Sequence, residues 1–178
     1  GIDLDQLQAK KLISSELSDQ LNSYKEEGYK IITYVGRIEP RRNIEFLFRL
    51  FSRIHEKRKK TKLVIIGKGE SKYKERCFSI IENKNLINDV IYLAYLKQEF
   101  LPAIYYASDV FLLPTRYEIF GMVLLEAMYF NVPVITTYNG GSDMLIENGS
   151  NGIIIDNFEL EQWRDNVLRL LDDHAYAN

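Results

Sequence analysis

Cysteine is almost missing from this sequence: Cys77 stands alone, so no internal disulfide can form. A chain of 178 residues can bury a core without such staples, and a lone thiol fits a reducing compartment, so a cytoplasmic protein is expected. Histidine is nearly as scarce. His55 and His174 lie in polar stretches with no partner at metal-ligand spacing, which argues against a histidine metal centre or a histidine acid–base pair. No apolar run reaches the roughly 18 residues of a spanning helix. Nor is there an excess of either charge. With 23 basic and 25 acidic residues the formal net charge is −2, so no whole-molecule field draws nucleic acid or an anionic membrane, and an anionic ligand must be held locally. Gly1 to Lys11 lacks the basic flank and apolar core of a signal peptide. The opening GIDLDQL, without an initiator methionine, suggests a piece of a longer protein.

What remains is the composition of a soluble globular domain, 46% hydrophobic and 27% charged. From residue 30 onward short apolar runs alternate with helical patterns, which predicts strand–helix units in a parallel sheet. The predicted strands are Ile31–Val35, Leu63–Ile66, Val90–Leu93, Val110–Leu113, Val132–Thr136 and Gly152–Ile155. The predicted helices are Ile44–Glu56, Lys74–Asn83, Glu99–Ala107, Met122–Phe130, Asp143–Glu147 and Leu160–Leu171, with Leu4–Tyr24 helical before the first strand. In Ile44–Glu56 an apolar face forms from Ile44, Leu47, Phe48, Phe51 and Ile54. The expected fold is α/β: a Rossmann-like, doubly wound parallel sheet of about six strands with helices on both faces. Residues 1–28 form a helical lead-in, and residues 29–178 a domain that binds its ligand beyond the carboxyl ends of its strands.

Three strand ends carry chemistry. In VGRIEPRRN, Gly36 allows a turn, and Arg37 and Arg42 present guanidinium forks suited to phosphate, although surface arginines would look the same. IIGKGES places Gly67 and Gly69 after a strand without the spacing of a dinucleotide loop or P-loop, and a tight turn explains it equally well. RYEIFGMVLLEAM sets Glu118 and Glu126 eight positions apart in an apolar run, with Gly121 between them. An unpaired buried carboxylate is costly, so a ligand, or else a nearby Lys or Arg, is expected. The helix start at Phe120–Met122 offers free N–H groups to a diphosphate. Glu118 and Glu126 suit sugar hydroxyls.

These stretches, with ASDVFLLPT, NVPVITTYNGGSDMLIENGSNGIII and the opening GIDL, resemble in order the carboxyl-terminal domain of the group 1 glycosyltransferases, the retaining family 4 with the GT-B fold. Glu118 and Glu126 match the E-x7-E motif. The resemblance implies a donor domain for a nucleoside-diphosphate sugar, serving glycan or polysaccharide synthesis with an amino-terminal acceptor domain outside this chain. It implies catalytic roles for Arg37, Arg42 and Glu118: the arginines, with Arg41 the alternative to Arg42, hold the diphosphate, and Glu118 orients the sugar. Gly36, Gly67, the backbone of Ile119, Phe120, Gly121, Met122, Val123 and Leu124, and Glu126 at the ribose complete the donor site, with Tyr95 and Leu96 beside the base. Lysine and glycine usually stand where this chain has Arg42 and Asn43, glycine often where it has Ala94, and a glutamate is missing near Asp143.

No metal or cofactor is implied, and Asp3-Leu4-Asp5 spells a D-x-D triplet by chance. The basic run His55–Lys62 reads as a solvated helix end, with peripheral membrane association left to a full-length protein. A non-catalytic nucleotide-sugar binding module and a GT-B sugar-nucleotide epimerase are the alternatives.

Overall fold

A computed structural model describes residues 16–117, 122–140, 142, 146 and 152–172. Six parallel strands form one sheet: β1 Lys30–Val35, β2 Thr61–Ile66, β3 Val90–Leu93, β4 Val110–Leu113, β5 Val134–Thr136 and β6 Ile153–Ile154. Their order is β3-β2-β1-β4-β5-β6. The helices are α1 over residues 16–26, α2 Ile44–Lys57, α3 Ser71–Asn83, α4 Leu101–Ala107, α5 Met122–Tyr129 and α6 Leu160–Asp172. Because parallel crossovers are right-handed, the steps from β1 to β3 put α2 and α3 on one face. The return from β3 through β4 to β5 puts α4 and α5 on the other. The doubly wound α/β fold read from the sequence is therefore the observed one.

β1 is buried from Ile31 onward, and β2, β4 and β5 are buried throughout, as expected of strands covered on both faces. All five apolar residues assigned to the α2 face are buried, and so are Phe46 and Leu50, because α2 is flanked by both α3 and α6. Phe46 meets the fully buried Trp163 of α6 edge to face, with ring centroids 5.4 Å apart. α2 starts from Asn43, which is left-handed at φ 58°, so asparagine supplies a conformation that few residues other than glycine adopt.

Some boundaries differ from the sequence reading. β2 begins at Thr61, earlier than expected, because buried Lys62 keeps its ammonium bonded to Asp89 at 2.9 Å and over the Tyr24 ring at 4.6 Å. β5 begins at Val134: Pro133 has no N–H for the ladder, and the Val132 N–H is bonded back to Ala127 at the end of α5. The Asp143–Glu147 helix and the first part of Leu4–Tyr24 lie outside the described residues.

The basic run His55–Lys62 is not simply solvated. His55 lies 3.3 Å from Asp89, Arg58 pairs with Asp172 at 3.3 Å, and Lys60 donates to the Glu27 carbonyl at 2.7 Å. Burial, opposed in part by the Asp89 carboxylate, holds the His55 imidazole below its usual range.

Candidate functional site

The winding direction of the sheet reverses between β1 and β4, and in open α/β sheets ligands bind beyond the carboxyl ends of the strands at such a switch point. After β1 the chain turns at Gly36, φ 155°, and the buried Tyr34 hydroxyl donates to the Arg37 carbonyl at 2.7 Å. The Arg37 side chain is 61% exposed in front of this turn. Behind it runs the β2 loop: Ile38 N–H donates to the Lys68 carbonyl at 2.7 Å. A Cβ on Gly67 would lie 1.6 Å from the Gly36 carbonyl oxygen, and one on Gly69 would lie 2.5 Å from that of Ile38. Both glycines are required because two loops lie backbone against backbone, a closer constraint than a tight turn.

Pro40–Arg42 forms one turn of 3-10 helix, and Glu39 before it gathers three guanidiniums. Its carboxylate lies 2.6 Å from Arg41, 3.5 Å from Arg37 and 3.8 Å from Arg42. The hydrogen bond from Arg41 is the main reason its carboxyl stays below the usual range; partial burial opposes, and the three arginine charges add. The two candidate arginines differ: Arg41 is half-exposed, whereas the Arg42 side chain is only 13% exposed. The Arg41 carbonyl accepts from Arg116 N–H at 2.7 Å and from the Thr115 hydroxyl at 3.2 Å. Arg116 also donates to Asn43 Oδ1 at 3.3 Å. Asn43 itself is buried, and among the described residues its Nδ2 has no hydrogen-bond partner. Three bonds thus tie the β1 loop to the β4 loop. Glu39, Tyr34, Thr115, Arg116 and Asn43 were all missed as site-forming residues, and the only sequence signal among them is one acid set among three arginines.

Glu118, Ile119, Phe120 and Gly121 lie outside the described residues. Of the rest of that segment, Met122 is exposed, Val123 half-buried and Leu124 fully buried. Glu126, one turn into α5, accepts a hydrogen bond at Oε2 from the Tyr105 hydroxyl at 3.0 Å. Among the described residues no lysine or arginine pairs with it. On the β3 side Tyr95 is exposed, with the Lys68 ammonium 5.7 Å from its ring centroid, while Leu96 is buried. Near Gly140, Asn139 and Ser142 exchange backbone-to-side-chain bonds at 2.8 and 2.9 Å, a reciprocal helix cap. Gly141, Asp143 and the Asp3–Asp5 triplet lie outside the described residues, among which no cluster of three metal-ligating side chains occurs. No described helix is long and apolar enough to cross a membrane.

The six-stranded parallel sheet and its crossovers define a Rossmann-like, doubly wound α/β domain. The chain belongs to the group 1 glycosyl transferases, whose family model matches residues 17–178. It is 30% identical over 143 residues to alpha-D-kanosaminyltransferase of Streptomyces kanamyceticus, covering 80% of this chain and 36% of that protein. It is 28% identical over 151 residues to D-inositol 3-phosphate glycosyltransferase of Corynebacterium jeikeium, covering 81% and 36%. The chain thus spans about a third of the length of these curated relatives. Among solved structures it is similar to sucrose-phosphate synthase of Thermosynechococcus elongatus, at TM-score 0.76 and 26% identity over 84% of this chain and 38% of that one. The C-terminal domain of a group 1 glycosyl transferase of Francisella tularensis shares the fold at TM-score 0.77 and 20% identity, covering 88% of this chain and 84% of that one. HepE of Anabaena, solved with UDP-glucose, does so at TM-score 0.80 and 22% identity over 92% and 44%.

Proposed function

We propose that residues 29–178 form the donor half of a retaining glycosyltransferase, with the acceptor held by an amino-terminal domain outside this chain. The observation that carries this reading is the junction of the β1 and β4 loops at the switch point, where Arg116 N–H meets the Arg41 carbonyl at 2.7 Å. It brings the arginine-rich turn beside the segment that leads through Glu118 into α5. A diphosphate leaving group develops negative charge as the glycosidic bond breaks, and donors already in place stabilise that charge without reorganising. Arg37 and Arg42 supply guanidinium donors, and the backbone N–H groups at the start of α5 supply the rest. Glu118 orients the sugar hydroxyls, contributing position more than proton transfer. Glu126 takes the ribose hydroxyls, and Tyr95 borders the base.

The Anabaena neighbour's UDP-glucose makes uridine the first base to try. The test is a thermal-shift panel of UDP, GDP, ADP and their sugar conjugates, since a ligand that binds the native state raises the melting temperature with concentration. One base series should stabilise the chain, its sugar conjugate more than its diphosphate. No shift with any of them would reject a donor site. Transfer itself is expected of the full-length protein and not of this chain, because donor and acceptor must be held together in near-attack geometry. Robust turnover by the 178-residue chain would overturn the two-domain mechanism.

A further inference from the structure

Glu126 is flexible at three side-chain torsions, yet a carboxylate that meets a vicinal pair of hydroxyls has to be held in one orientation. Its only described hydrogen-bond partner lies on a different helix. We infer that Tyr105 of α4 is a positioning residue for Glu126: its hydroxyl fixes one carboxylate oxygen and thereby aims the other at the ribose hydroxyls. The inference rests on the donor-site reading above.

Three observations carry it. The bond runs from Tyr105 Oη to Glu126 Oε2 at 3.0 Å, and among the described residues Oε1 accepts nothing. A carboxylate offers about four acceptor positions, so Oε1 keeps its capacity for a ligand. The donor is also rigid. Tyr105 is buried, its ring stacks on Phe130 at 5.5 Å with an interplanar angle of 10°, and the Phe111 ring lies tilted against it at 6.1 Å. Finally, the donor is neutral. A lysine or arginine here would neutralise Glu126 and compete with the ligand for it, whereas a phenol orients the carboxylate and leaves its charge intact. Burial, and after it the facing Glu126 carboxylate, push the phenol above its usual range, so it remains a donor at any physiological pH.

The test uses whichever of UDP, GDP and ADP binds the chain most tightly, and its 2′,3′-dideoxy counterpart, by calorimetry. Tyr105→Phe keeps the ring packing and removes the hydroxyl. Preference for the ribose over the dideoxyribose form should fall about tenfold, the scale of one charged hydrogen bond, with affinity for the dideoxy form unchanged. A residue that served only to pack α4 on α5 would weaken both ligands equally. Glu126→Ala should abolish the preference, and Tyr105→Phe should add nothing to it, because the two act through one carboxylate. If Glu126→Ala loses the preference and Tyr105→Phe keeps it, the inference is overturned and the donor-site reading stands. If Glu126→Ala keeps it, the role given to Glu126 fails, and this inference with it. Should Tyr105→Phe not fold, Phe130→Leu loosens the same ring with the hydroxyl in place: a smaller loss of preference is expected, and an unchanged preference overturns the inference equally.

Discussion

The two ends of the sheet use their charged side chains in different ways. At the amino ends of the strands Lys25, Lys62 and Arg58 are each matched to a carboxylate. Lys25 bonds both oxygens of Asp109 at 2.8 and 2.9 Å and the Ala107 carbonyl, Lys62 bonds Asp89 and the Asn88 carbonyl, and Arg58 meets Asp172. At the carboxyl ends one carboxylate, Glu39, is shared by three guanidiniums. Arg37, the outermost of the three, keeps a side chain that is 61% exposed. The amino-end pairs join separate elements of the fold, whereas the carboxyl-end cluster gathers cations on a single turn.

The strongest break of this contrast is Gly67→Ala, which touches no charge. Its Cβ would sit inside the Gly36 carbonyl at a φ of 155°, so we expect a loss of more than about 3 kcal/mol or failure to fold, read by denaturant unfolding. Next comes Arg37→Ala. Diphosphate affinity should fall on the order of 10- to 100-fold, with unliganded stability changed by less than about 0.5 kcal/mol because the side chain is exposed. Equal loss of bare nucleoside and diphosphate affinity would reassign Arg37 to structure. Asp89→Asn at the opposite end should do the reverse, costing about 1.5 kcal/mol of stability through Lys62 and leaving ligand affinity untouched.

The smallest effect is one of pH. His55 has a folded-state value below its ordinary 6.5, so the unfolded chain takes up the proton more readily. Its contribution is complete above that value and is lost as the pH falls from it toward the depressed folded value. Asp89 opposes the depression, and Lys59 and Lys62 add to it. Glu39 lies below its ordinary 4.5, and its contribution is likewise present above that pH and lost below it. Melting temperatures should therefore show a His55 slope below pH 6.5, removed by His55→Asn, and a separate Glu39 slope below pH 4.5.

The central strands were legible because burial on both faces writes continuous Val- and Ile-rich runs, and β3 and β4 match residue for residue. The doubly wound sheet followed from strand–helix alternation, whereas the strand order, and with it the switch point between β1 and β4, came only with the structure. Lys62 escaped, since a cation reads as the end of a strand until its acid is found in a later turn. Tyr105 escaped for a related reason: it is one more aromatic in an apolar helix, and its meeting with Glu126 depends on how α4 and α5 lie against each other, which no local pattern encodes. The β1 and β4 loops were visible as separate stretches, but the bonds between them, from the Arg116 N–H and the Thr115 hydroxyl to the Arg41 carbonyl and from the Arg116 guanidinium to Asn43, join residues more than 70 positions apart that no local pattern pairs.

The interleaving of the β1 and β2 loops has a dynamic consequence. With Ile38 donating to the neighbouring loop and glycines removing the space for independent movement, the arginine turn behaves as a continuation of the sheet. Its amides should exchange with solvent as slowly as those of a buried strand, unlike a surface loop of the same length. An incoming anion would then meet a surface whose ordering entropy was already spent when the chain folded, so its binding energy is retained as affinity and not consumed in arranging the backbone that receives it.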